Sequence, residues 1–169
     1  MKSTRLFSFF TLLFLFLQSG IPAQDRPYVI MISLDGFRWD YPLMTNLPTL
    51  DSLACAGVRA ESLRPSFPSV TFPNHYTMAT GLYPDHHGIV ANSFYDPAMK
   101  RTYAIRDRSA VEEGAFYGGE PIWVTAEKQG VRSASFFWVG SEAPVQGIRP
   151  SYWKKYDEKI PMADRSRMA

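Results

Sequence analysis

Tyr28-Val-Ile-Met-Ile-Ser-Leu34, followed at once by Asp35-Gly36, is the stretch whose reading decides the fold. A continuous apolar run rich in β-branched residues suits a strand buried on both faces of a parallel sheet. Working outward, apolar residues recur at helical spacing through Leu47, Leu50, Leu53 and Ala54, and Gly57 closes that helix. Residues 58–63 then read as a second strand. Residues 122–129 predict another amphipathic helix closed by Gly130, with a further strand over 131–138. Strand, helix and strand in alternation predict an α/β fold with a mainly parallel sheet and flanking helices.

Composition narrows the function classes. Of 169 residues, 46% are hydrophobic and 20% charged, the profile of one ordinary globular domain. The net charge of +2 is spread along the chain, so a basic face for nucleic acid is excluded. Lys2 and Arg5 precede an apolar run over residues 6–17 and a small-residue exit at residues 18–23. That pattern predicts a signal peptide over residues 1–24, cut near Ala23 or Gln24, because the run falls short of the roughly twenty residues that span a bilayer. A periplasmic or secreted protein without a membrane span is expected. Cys55 is the single cysteine, so neither an intrachain disulfide nor a thiolate metal cluster can form.

In open α/β sheets, ligands gather outside the carboxyl ends of the strands, where Asp35 would sit. Its carboxylate could ligate a metal ion, or Asp35-Gly36 could be a plain turn. Thr71, before Phe72-Pro73 and a run without breakers as far as Gly81, is placed like a helix N-cap. A hydroxyl there could simply cap the helix. It could equally be a metal-activated nucleophile for a phosphoryl group drawn to the positive helix end. Local spacing does not choose between these readings.

Five segments in register carry a resemblance. Ile32-Ser-Leu-Asp-Gly-Phe-Arg38, Pro68-Ser-Val-Thr-Phe-Pro-Asn-His75, Gly81-Leu-Tyr-Pro-Asp-His-His-Gly-Ile-Val-Ala-Asn-Ser-Phe94, Glu120-Pro-Ile-Trp-Val-Thr-Ala-Glu127 and Phe137-Trp-Val-Gly-Ser-Glu142 resemble, in order, signatures of the nucleotide pyrophosphatase/phosphodiesterase family of the alkaline phosphatase superfamily. The resemblance implies the N-terminal part of an alkaline-phosphatase-like sandwich and two zinc ions in the complete domain. It further implies hydrolysis of a nucleotide or other phosphodiester substrate through a nucleotidyl-threonine intermediate. By position, Asp35 resembles a zinc ligand and Thr71 the nucleophile on the same ion. Asn92 resembles the amide donor to a phosphoryl oxygen, and Phe72 and Tyr156 resemble the aromatic residues flanking the nucleotide base. Residues 86–87 are expected to shape a wall rather than bind metal, and His75 to be a structural hydrogen-bonding group.

The family's further Asp and His ligands have no counterpart after His87. Residues 25–169 are therefore expected to be an incomplete catalytic domain, inactive by itself. A phosphomonoesterase or phosphonate hydrolase of the same superfamily, or an inactive remnant, are the alternatives.

Overall fold

The computed structural model describes residues 27–168. They fall into two units, the first ending at Ile32 and the second running from Ser33. The predicted leader lies outside the described residues. No described helix is long and apolar enough to cross a membrane.

In the first unit, residues 27–32 form no strand, and Tyr28, Val29, Ile30 and Ile32 are exposed. This corrects the strand expected over 28–34. A strand exists through ladder bonds to a neighbour, and no partner for this run occurs among the described residues. Residues 58–63 likewise stay out of any ladder, with Val58 and Leu63 exposed.

Helices follow the sequence more closely. After the short α1 (Tyr41–Met44), α2 spans Pro48–Ala56 and ends at Gly57, as its apolar spacing predicts. The central helix α3 covers Thr71–Thr80, and Gly81 closes it at φ +70°, a left-handed conformation in which a Cβ is disfavoured. A single turn, α4 (Pro84–His87), leads to the antiparallel hairpin of β1 (Ser93–Asp96) and β2 (Arg101–Ala104). The hairpin turn is tied by Asp96, whose carboxylate accepts from the amides of Ala98 and Met99. Next come α5 (Arg108–Val111), a 3-10 turn over Gly114–Phe116, and α6 (Ile122–Lys128). Of the strand expected over 131–138, β3 keeps Ala134–Phe136 and pairs in parallel with β4 (Tyr152–Lys154), ahead of α7 (Met162–Met168).

The core lies against the inner face of α3. Pro73, Tyr76 and Ala79, three residues apart, are buried and turn one stripe of the helix inward. The Tyr76 ring meets His87 and Tyr117 edge-on at 5.0 and 5.2 Å, and its hydroxyl donates to the Gly118 carbonyl at 3.1 Å. Tyr117 donates to the Val111 carbonyl at 3.0 Å, which leaves its oxygen to accept from Tyr103 at 2.8 Å. Burial pushes all three phenols well above the ordinary tyrosine pKa, so they remain donors at any ordinary pH. Gly140 backs onto this cluster at φ +86°, and a Cβ there would come within 2.8 Å of the Tyr76 ring.

Parallel pairing of β3 and β4 is anchored at its entry by one carboxylate. Glu127, near the end of α6, accepts from the Ser133 hydroxyl and amide at 2.7 and 2.8 Å and from the Ser151 amide and hydroxyl at 2.8 Å each. The Ser133 hydroxyl, then the two amides, hold the Glu127 carboxyl down at about 2. Because the folded value lies below the ordinary 4.5, this stabilisation is complete above pH 4.5 and is lost as pH falls toward 2. Glu127→Gln should therefore destabilise the fold by about 1 kcal/mol at pH 7, the screened value of a charge-assisted cluster at a half-exposed site. Urea titrations at pH 7 and pH 2.5 check this. The gap between variant and parent should shrink at the lower pH, and an unchanged gap would contradict the clip.

Candidate active site

Residues 35, 71 and 92 are far apart in sequence and meet at the start of α3. Asp35 stands in a turn closed by the Phe37 amide on the Leu34 carbonyl, with Gly36 at φ +69°. Only glycine takes that conformation without strain, which explains the Asp-Gly pair. The expected N-cap at Thr71 is corrected by one residue. Val70, in extended conformation, is the cap, and Thr71 is the first helical residue. Its hydroxyl makes no capping bond and instead donates to Asp35 Oδ2 at 3.1 Å. Pro73 occupies the first turn, where a missing amide hydrogen costs nothing.

Asn92 serves the same helix end from the other side. Its Oδ1 accepts the Phe72 amide at 2.9 Å, satisfying one of the donors that a helix N-terminus leaves free. A backbone N–H needs an acceptor, so the oxygen is fixed by this bond and the amide nitrogen must point away with both hydrogens available. The hairpin holds Asn92 in place, since its carbonyl accepts the Ile105 amide at 3.0 Å.

The two aromatic candidates separate. The Phe72 ring is half-buried against the core, 6.2 Å from Tyr103. Tyr156 belongs to another cluster, edge-on to Phe137 at 5.1 Å, with the Arg165 guanidinium 5.6 Å from its ring and 5.5 Å from Phe137. No ring contact joins Tyr156 to Phe72 among the described residues.

All three histidines have protein partners. His87 is fully buried, and its Nδ1 accepts the Ile89 amide at 3.2 Å. Nε2 therefore carries the hydrogen and donates to Thr77 Oγ1 at 3.0 Å. His86 is exposed beside Asp85 at 2.9 Å. His75 spans Ser33 and the Thr71 carbonyl. Ser33 is the residue that sequence reading missed, although its place two before Asp35 was the available signal.

For a metal ion, Asp35 and Thr71 offer two oxygens 3.1 Å apart. Neighbouring ligands of a tetrahedral zinc, each at about 2.0 Å, stand about 3.3 Å apart, so the pair fits one edge of such a site. Among the described residues no group of three His, Cys, Asp or Glu side chains could complete it.

A family model described as type I phosphodiesterase/nucleotide pyrophosphatase matches residues 29–169. The chain belongs to that family. It is 41% identical over 143 residues to human ectonucleotide pyrophosphatase/phosphodiesterase family member 1, covering 83% of this chain and 15% of the relative. An uncharacterized pyrophosphatase/phosphodiesterase of Schizosaccharomyces pombe is 50% identical over 125 residues, covering 73% of this chain and 26% of its own. The chain thus spans a minor part of the curated relatives that it matches. Murine ectonucleotide pyrophosphatase/phosphodiesterase 5 superposes over 79% of the chain, and 36% of its own, with TM-score 0.74 and 32% identity. An inactive threonine-to-alanine form of that protein, solved in complex with AMP, superposes with TM-score 0.75 at 31% identity, over 80% of this chain and 36% of its own. The fold is accordingly the alkaline-phosphatase-like α/β fold over the part that the chain spans.

His87 generates a pH prediction within this family frame. Burial lowers its pKa below the ordinary 6.5, so the folded chain keeps it neutral while the unfolded chain takes up a proton. The unfolded state then binds more protons, and stability falls as pH drops through 6.5. Chemical denaturation from pH 7.5 to 5.5 should show that decline, and His87→Gln should flatten it. An equally steep decline in the variant would assign the slope elsewhere.

Proposed function

We propose that the site hydrolyses phosphodiester or pyrophosphate bonds of nucleotides, with Thr71 as nucleophile. The observation that carries this reading is the contact of Thr71 with Asp35 at the N-terminus of α3, beside an asparagine whose amide hydrogens meet no acceptor among the described residues. A phosphoryl group is drawn to that helix end by its dipole. Thr71 Oγ1 attacks phosphorus in line, the bond to the leaving oxygen breaks, and a nucleotidyl-threonine forms. Water then attacks the same phosphorus, releases the nucleoside monophosphate and restores the hydroxyl. Asn92 donates to a non-bridging oxygen as charge develops in both steps. Zinc held by Asp35 and Thr71 would favour loss of the hydroxyl proton and share the phosphoryl charge, with a second ion in the complete domain. Phe72 and Tyr156 are the proposed base-stacking residues.

Several findings support this reading: the family's description, the relatives named as pyrophosphatase/phosphodiesterases, and a structural neighbour inactive without a threonine and holding AMP. Secretion follows from the leader reading, and relatives named as ectoenzymes and a venom phosphodiesterase of Crotalus durissus collilineatus agree with it.

Turnover of a p-nitrophenyl nucleoside monophosphate ester by the full-length protein with zinc tests the roles. Thr71→Ala should abolish it, and parental activity would refute the nucleophile. Asn92→Ala should cost about 2.7 to 4 kcal/mol of transition-state stabilisation, whereas a loss under about tenfold would place Asn92 outside the reaction. Phe72→Ala should erode the preference for nucleotide over simple aryl diesters by about 1 to 3 kcal/mol, the size of one base stack. Equal losses on both substrates would assign that ring to core packing. Faster cleavage of phosphomonoesters than of diesters would favour the phosphomonoesterase alternative.

A further inference from the structure

We propose that His75 is a positioning residue for the Asp35–Thr71 pair and acts through Ser33, an inference that rests on the reading of Thr71 as nucleophile. His75 is buried, its ring edge-on to Trp138 at 5.8 Å, and the Trp138 indole donates to its carbonyl at 3.2 Å. The imidazole therefore has little freedom to turn. Nδ1 lies 2.7 Å from the Thr71 carbonyl, which can only accept, so Nδ1 carries the hydrogen. In the neutral ring Nε2 is then the acceptor, and Ser33 Oγ donates to it at 2.9 Å.

A histidine serving only its own helix would be satisfied by the Thr71 carbonyl. This one uses its second nitrogen to hold a residue 42 positions away, and that residue stands two before Asp35. Spacing makes the arrangement a two-rung ladder. Residues four apart in an α-helix stand one turn, about 6 Å, apart, and Ser33 and Asp35 meet His75 and Thr71 one to one. Ser33 to His75 and Asp35 to Thr71 are such a matched pair of rungs. The Asp35–Thr71 rung is exposed and single, so solvent competes with it. The Ser33–His75 rung is sheltered beside Trp138 and keeps the two segments in register. Loss of the sheltered rung would let Thr71 Oγ1 drift from Asp35 without unfolding α3, because Pro73, Tyr76 and Ala79 still bury their face. A displacement of about 1 Å at a nucleophile is enough to cost on the order of 100-fold in rate.

Two measurements test this. In the isotope-labelled chain, nitrogen shifts of the imidazoles should report Nδ1–H and bare Nε2 for His75, and Ser33→Ala should move both the Nε2 signal and the Thr71 methyl. The opposite tautomer, or a Thr71 methyl that does not respond, overturns the proposal. In the full-length protein, Ser33→Ala and His75→Asn should each lower kcat at least tenfold with KM unchanged, and the double variant should be no slower than the worse single. Asn keeps a donor for the Thr71 carbonyl and loses the reach to Ser33. His75→Gln extends an acceptor to the Nε2 position and should recover most of kcat. Additive losses, or Gln no better than Asn, would leave His75 a packing residue. Turnover that survives Thr71→Ala sinks the functional reading alone, and the shifts of the unreacted chain then decide whether His75 sets the Thr71 geometry.

Discussion

Burial of one stripe of α3 is the constraint on which the remaining structure depends. Pro73, Tyr76 and Ala79 face inward, and the Tyr76 ring touches His87 and Tyr117 while Gly140 leaves it just enough room. A large ring enclosed in this way fixes the rotation of its helix, because a turn of the helix would expose the ring and clash with its neighbours. With the rotation fixed, Thr71 and His75 must emerge on the side of Asp35 and Ser33, and the Phe72 amide must face Asn92. The candidate site is thus a consequence of core packing, with a rigid helix supplying its reference frame.

Legibility in the sequence divides along local and non-local bonds. Helices α2 and α6 were readable from spacing and from Gly57 and Gly130, since every helix bond closes within four residues. Strands were not, because an apolar run is only half of a ladder. Residues 28–34 and 58–63 have the composition of buried strands and find no partner among the described residues, whereas residues 134–136 pair with a segment no longer than themselves. The parallel pair also depends on Glu127, whose two serine partners lie 6 and 24 residues away and leave no periodic trace.

At the site, residue types were legible and their contacts were not. Asp35, Thr71 and Asn92 drew attention through the family's motifs, and the structure brings all three to one helix end. The cap lies one residue before Thr71, a shift not legible in the sequence because threonine before a proline-containing turn suits either the cap or the first helical position. Ser33 is not legible in the sequence because a small polar residue inside an apolar run reads as tolerated rather than placed. Tyr156 packs with Phe137 and Arg165, a grouping that depends on a guanidinium nine residues further on.

Asp35, Asn92 and the helix end differ in what each has left to give, and that difference orders the chemistry. Asn92 has used its oxygen on the Phe72 amide, so it can only donate outward, and a phosphoryl oxygen is the kind of partner that suits it. Asp35 accepts from Thr71 and keeps its remaining lone pairs exposed. On the proposed reading the hydroxyl proton between them leaves when Thr71 Oγ1 attacks phosphorus, and zinc held by Asp35 and Thr71 would favour its loss. The same hydrogen bond that orders the site therefore joins the two oxygens that would hold zinc. On the proposed reading zinc binding would also favour activation of the nucleophile, and the Ser33–His75 contact, which shares no side-chain atom with the Thr71–Asp35 bond, would hold the geometry.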